Sequence, residues 1–425
     1  MTESHAGETR PRIMHFADFH IDSDEKMLRP TRKAGDELLA GAQANQPDLI
    51  VIAGDYFNRK LHFDSEAARF AIDFLQRLSS IAPVLLLEGT ETHDRQSLET
   101  LASVQVINDV KIVMEPSIVN FDTSPALRRI DFFCMPGIKK RYFEGIAAEF
   151  GFDMAKTQVK DLVAYQFHKW SEMQLARQGR EPVFVGHVQL GLEGLEKMET
   201  GYEPGISPVT VDLIKPTLGL LGHVHDVISH NGKCGRYHYS GSIVAKTMGE
   251  AEVVDVSAGG AVKVVKERPK KGFYIHTSLG GGKWESSFTE ISTTRFCKII
   301  MNADNEKDLE GKMNAAKEAL KDRAQGCMED GLVCKFNIET PDTAVPEAVL
   351  KHENTIRNSL GSVVDIVSPA INVTSFSSYV ARVEDSSAWQ GKDPRDKFHD
   401  WMRRRGYESD EAEVRELDEK IRMVL

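Results

Sequence analysis

"LLGHVHDV", residues 220–227, decides the reading of this chain: an apolar run closes on a glycine and then sets His223 and His225 two positions apart. Residues two apart in extended backbone point to the same side, so both imidazoles can address one small cavity. Taken alone, the pair is either two metal ligands or two polar loop residues. Other apolar, β-branched runs end the same way: "RIMHFADFH" in Asp18 and His20, "DLIVIAGD" in Asp55, and "PVFVGH" in His187. One such residue is an ordinary turn former. Their joint occurrence points to a two-metal hydrolytic site, because sites in α/β sheets form at the carboxyl ends of strands, where residues distant in sequence converge. The mixed imidazole and carboxylate set suits manganese, iron or zinc better than magnesium or calcium, which favour all-oxygen shells. Two cations about 3.5–4 Å apart need a bridging carboxylate, and Asp55 is the candidate.

Working outward, the runs "RIMHFA", "DLIVIA", "PVLLLE", "RIDFFCM", "PVFVG" and "LGLLG" alternate with helical patterns, the signature of stacked α/β layers. In "SEAARFAIDFLQRLSSI", Ala68, Ala71, Ile72, Leu75 and Leu78 recur at helical spacing and predict an amphipathic helix packed on a sheet. Short strand-like pieces between 232 and 290 predict that the sheet continues as a meander to a boundary near 290. The pattern then restarts as strand "RFCKIIMN", helix, strand "LVCKFNIE", helix and strand "SVVDIVSP", a compact βαβαβ unit. The expected organisation is a domain over 11–290, a small α/β cap over 291–370 and a helical tail over 371–425. In that tail Phe398, Trp401 and Met402 are spaced for a helix that docks on a partner or folds back on the cap.

The bulk numbers exclude several classes. With 425 residues, 41% hydrophobic and 28% charged, the chain is an ordinary globular protein of two or three domains. No apolar run approaches the roughly 20 residues of a membrane span, and the polar start "MTESHAGETRPR" lacks a signal core, so a cytoplasmic location is expected. Five cysteines without CxxC spacing read as reduced, packed thiols. A net charge of −11 leaves room for local basic stretches. "GIKKRYF", with Lys139, Lys140 and Arg141, and "KERPKK", with Lys266, Arg268, Lys270 and Lys271, are either contacts for a polyanion backbone or solvated turn residues.

DxH, GDxxx, a Gly-initiated His-Asp stretch, an isolated GH and GHxH, in that order, resemble the calcineurin-like metallophosphoesterases. "IAGDYFNRK", the "YSGSI" after GHxH and the appended βαβαβ unit are similar to the SbcD-type DNA double-strand-break nuclease branch. The resemblance implies a four-layer α/β/β/α sandwich with a small α/β cap. It implies two divalent cations, manganese first, with Asp18, His20 and His225 on one, His187 and His223 on the other, and Asp55 bridging. Where the family has GNH[DE], this chain has "EGTETHD": His93 and Asp94 match the catalytic pair, and Thr90 stands in the position of the Asn ligand. The implied partners are DNA and a coiled-coil SMC-like ATPase, with a homodimer inside a heterotetramer and no membrane. A phosphomonoesterase or cyclic-nucleotide phosphodiesterase on the same core, and a catalytically weakened DNA- and ATPase-binding scaffold, are the alternatives.

Overall fold

The computed structural model describes residues 10–62, 64–101, 106–150, 158–177, 179–192, 205–325, 331–340, 345–367 and 369–373. Phe398, Trp401 and Met402, and with them the expected tail helix, lie outside the described residues. Four parallel strands come first: β1 (Arg12–Phe16), β2 (Leu49–Ile52), β3 (Val84–Leu87) and β4 (Val110–Val113). A second sheet follows from β5 (Ser117–Val119), β6 (Ile130–Met135), β7 (Glu181–His187), β8 (Leu218–Gly222), β9 (Ile228–Asn231) and β10 (Arg236–Tyr239), ordered β5-β6-β7-β8-β10-β9. The chain then leaves for a third sheet through β11 (Glu252–Val256) and β12 (Val262–Lys266). It returns as the hairpin β13 (Gly272–Gly280) and β14 (Lys283–Glu290), which completes the first sheet in the order β14-β13-β1-β2-β3-β4. Finally β15 (Arg295–Asn302), β16 (Leu332–Thr340), β17 (Val364–Ile366) and β18 (Ala370–Val373) complete the third.

Period-two alternation sorts the strand residues between layers. In β1, Met14 and Phe16 face helices α1 (Glu25–Asn45) and α2 (Glu66–Ile81), whereas Ile13 faces the second sheet. In β6, Phe132 and Cys134 meet the first sheet, and Phe133 and Met135 pack toward the far-side helices. The result is the expected four-layer α/β/β/α sandwich. Helix α2 buries Ala68, Ala71, Leu75 and Leu78, and Ser65 caps it by accepting from the Ala68 N–H at 3.2 Å, a contact worth about 1 kcal/mol. Helix α3 (Glu91–Leu101) follows β3; α4 (Lys140–Phe150), α5 (Val159–Ala176) and the short α6 (Pro208–Val211) serve the second sheet, and α7 (Glu306–Ala324) and α8 (Val345–Leu360) the third. Among the described residues no helix is long and apolar enough to cross a membrane.

Strand pairing crosses position 290. Segment 252–266 pairs with the later unit, since β11 runs parallel to β15 from Glu252↔Cys297 to Asp255↔Ile300. The expected meander over 232–290 instead distributes β10, the β11–β12 pair and the β13–β14 pair to three different sheets. Alternating polarity marks a strand but not its neighbour.

Candidate metal centre

The site lies where the parallel strands of both sheets end. Backbone hydrogen bonding continues past them: the Asp18 N–H donates to Gly54 O at 3.0 Å and the His20 N–H to Asp55 O at 2.8 Å. Asp18, His20, Asp55 and His223 all take left-handed backbone conformations, with φ of 53°, 51°, 48° and 85°. For residues with a Cβ this costs on the order of 1–2 kcal/mol each and persists where the surrounding structure dictates it. The chain turns sharply at each strand end to aim these side chains at one point. Two glycines permit the convergence. A Cβ on Gly54, whose φ is 91°, would sit 2.2 Å from the His187 ring, and one on Gly89 would sit 2.1 Å from Asp55 Oδ1.

Three groups of donor atoms lie within 4.8 Å of one another: Asp18 with His20 and His225, His20 with Asp55 and His93, and Asp18 with Asp55 and His187. His20 Nε2 faces His225 Nε2 at 3.1 Å, His93 Nδ1 lies 2.9 Å from Asp55 Oδ2, and His187 Nε2 lies 3.4 Å from Asp55 Oδ1. The other nitrogen of His187 donates to Ala53 O at 2.8 Å, which fixes the tautomer and turns Nε2 inward, where it is buried without a hydrogen-bond partner. Inward-facing imidazole nitrogens opposed across 3.1 Å and two shared carboxylates are a donor set that fits divalent cations.

Charge coupling is strong. Burial alone would raise Asp55, but His187, His93 and His20 outweigh it and hold the carboxyl well below its usual range. Burial opposes a charged His187, yet Asp55 and Asp18 push it up to about 10. Asp18 goes the other way, raised to about 6 by burial and by the Asp55 charge despite His187 and His225. His20 is driven well below the normal histidine value, chiefly by burial. Cations entering here take the place of protons, so their binding releases protons.

Most of the expected residues meet at these strand ends. His223 stacks edge-on to His187 with ring centroids 5.2 Å apart, and its N–H donates to Asp18 at 3.0–3.1 Å; it belongs to none of the three groups. His93, expected as the catalytic histidine or as a replacement for the missing Asn ligand, belongs to one. Thr90 donates its N–H to Asp55 Oδ1 at 2.6 Å, with its hydroxyl 3.4 Å from Oδ2, so it steadies the shared carboxylate. Asp94 is wholly buried and accepts from the Phe57 N–H at 2.8 Å and the Gly89 N–H at 2.7 Å, tying together the loops after β2 and β3. Lys139 is corrected: it is buried and its ammonium pairs with Glu88, which removes it from any polyanion surface. Lys140 and Arg141 open α4, and their side chains lie outside the described part. Lys271 is buried as well. Sequence reasoning missed Glu250 and Lys246 around His225 and His20, for which no motif gives a signal, and read Lys271 only as a polyanion contact or a solvated turn residue.

The family model for the calcineurin-like phosphoesterases matches residues 11–227, just over half of the chain and the whole span that carries these ligands. Among solved structures, GAP50, described as the anchor in the inner membrane complex of Plasmodium, is similar at 13% identity. The match covers 66% of this chain and 85% of that one with a TM-score of 0.43, too low to bear on either fold or role. The strand-end ligands, their shared carboxylates and the matched span together place the chain in the calcineurin-like phosphoesterase family, as a metal-dependent phosphoesterase.

Proposed function

We propose that this phosphoesterase is a DNA nuclease of the SbcD type, hydrolysing phosphodiester bonds at DNA ends with manganese as its preferred cation and a coiled-coil SMC-like ATPase as its partner. The single observation that carries the metal-dependent phosphoesterase chemistry is the convergence of Asp18, His20, Asp55, His93, His187 and His225 into three overlapping donor groups among the described residues. DNA as substrate is supported by the "YSGSI" run directly after GHxH and by the α/β unit appended beyond the phosphoesterase core. Exposed Lys266 and Lys270, partly exposed Arg268 and the start of α4 are the candidates for backbone contacts. A homodimer within a heterotetramer, docked through the tail, belongs to the same proposal.

When bound, the divalent cations supply Lewis-acid neutralisation of the phosphate and activation of the attacking water. The chain's own residues do the rest. Asp55 is held ionised and aimed by Thr90 and His93. His187 is fixed through Ala53 and His225 is turned toward Asp18. His93 is only partly buried, and its Nδ1 lies 2.9 Å from Asp55 Oδ2 beside the shared carboxylate. It is therefore the residue placed to donate a proton to the leaving oxygen.

The test is degradation of end-labelled linear duplex DNA in manganese, compared with magnesium and with Asp55→Ala protein. Manganese-dependent loss of label that disappears in the variant is expected. Hydrolysis of small aryl phosphates with DNA left intact would move the reading to a phosphomonoesterase.

A further inference from the structure

We infer that Glu250 is a positioning residue for the metal ligand His225, held in place by Lys271 at the neck between the phosphoesterase sheets and the third sheet. The inference rests on the proposed metal site. His225 directs Nε2 toward the other ligands, 3.1 Å from His20 Nε2 and 3.8 Å from Asp18 Oδ1. On the opposite side of the ring, Glu250 Oε1 lies 3.6 Å from Nδ1. A carboxylate there favours the tautomer with the proton on Nδ1, leaving the Nε2 lone pair for a cation, and it makes that nitrogen more basic.

Every oxygen of Glu250 is tied down. Oε1 also accepts from the Lys246 N–H at 3.0 Å, and Oε2 accepts from Ser242 Oγ at 2.9 Å and Lys271 Nζ at 2.5 Å. Lys271 Nζ further donates to Ser242 Oγ at 2.5 Å, and the Lys271 side chain is only 3% exposed. Lys246 reaches back to the same site, donating from Nζ to His20 O at 2.6 Å. A buried ammonium and carboxylate so fully bonded are expensive to desolvate and are kept where they fix a geometry. Their position in the chain gives that geometry a reach. Glu250 stands two residues before β11, where the chain departs for the third sheet, and Lys271 immediately before β13, where it comes back. One ion pair thus closes both crossings and touches a ligand.

The experiment is manganese titration of the full chain by calorimetry, with wild type, Glu250→Gln and Glu250→Asp. Glu250→Gln keeps the shape and removes the charge; about a 10- to 100-fold loss of affinity at one class of site is expected, with partial recovery in Glu250→Asp. Superimposable wild-type and Glu250→Gln curves would overturn the assignment to Glu250 while leaving the metal site standing. Wild-type protein that takes up no manganese overturns the metal site and this inference together. Because Glu250→Gln removes a partner of buried Lys271 and can weaken folding, the His225 tautomer is also read in zinc-loaded wild-type protein by long-range proton–nitrogen NMR. A proton on Nδ1 is expected, and a proton on Nε2 would sink the proposal without any variant.

Discussion

At the scale of single residues, His93 separates two chemistries that sequence had merged. It sits 2.9 Å from Asp55 and in one donor group with His20, and its side chain is 31% exposed, close to the 34% of His225. His93 is the histidine that the family motif puts in the general-acid position, and a general acid contributes about 10²–10⁴-fold to rate. His93→Ala is therefore expected to lose kcat by that factor while binding manganese in the wild-type amount, measured by metal analysis of the dialysed protein. Loss of one equivalent of metal would make His93 the ligand that replaces the family's Asn. Asp94, adjacent in sequence, differs in kind: with both oxygens taken by backbone N–H groups and a pKa pushed up to about 7 by burial and the Asp55 charge, it shapes the loop that presents His93.

At the scale of elements, β1, β10 and β13 bring together a second set of histidines that motif reading passed over. His15, His238 and His276 are buried between the sheets around Tyr274, with His276 5.6 Å from His15 and 5.1 Å from His238 between ring centroids. Burial dominates their titration: His15 falls to about 3, its neighbour His238 adding to the effect, His238 to about 4, and His276 well below normal. An unfolded histidine titrates near 6.5, so below that pH the unfolded chain binds more protons and stability falls. The contribution is complete above about pH 6.5 and is lost as pH drops toward 4. His15 has both ring nitrogens buried without hydrogen-bond partners, so an apolar residue of similar size fits its place. His15→Leu should blunt the loss between pH 6.5 and 5 by about 2 kcal/mol, from roughly 1.4 kcal/mol per pH unit. Urea unfolding in chelator at the two pH values reads it, and parallel pH dependence in both proteins would refute it.

At the scale of the whole molecule, the chain leaves the phosphoesterase sheets and re-enters them beside the same ion pair. Cation binding that orders His225 should then tighten the neck. Amide hydrogen exchange in segments 251–256 and 267–272 is expected to slow on adding manganese to wild type and to stay unchanged in Glu250→Gln. Equal exchange with and without metal in wild type would mean that the third sheet and the site are mechanically independent.

Much of this was legible before any coordinates. The apolar runs at 12–17, 48–53, 83–88, 129–135, 182–186 and 218–222 became strands, and the candidate metal donors closing four of them, Asp18, His20, Asp55, His187 and His225, lie close together. Strand polarity and the rule that sites form at carboxyl ends are local properties that sequence carries. What only tertiary structure decided is pairing and partnership. It sent β11 and β12 to the third sheet, buried Lys139 against Glu88, and set Glu250 and Lys271 behind His225. An amphipathic strand fits many edges and a lysine reads the same whether solvated or buried, so these outcomes follow from which surfaces meet, which no local pattern encodes.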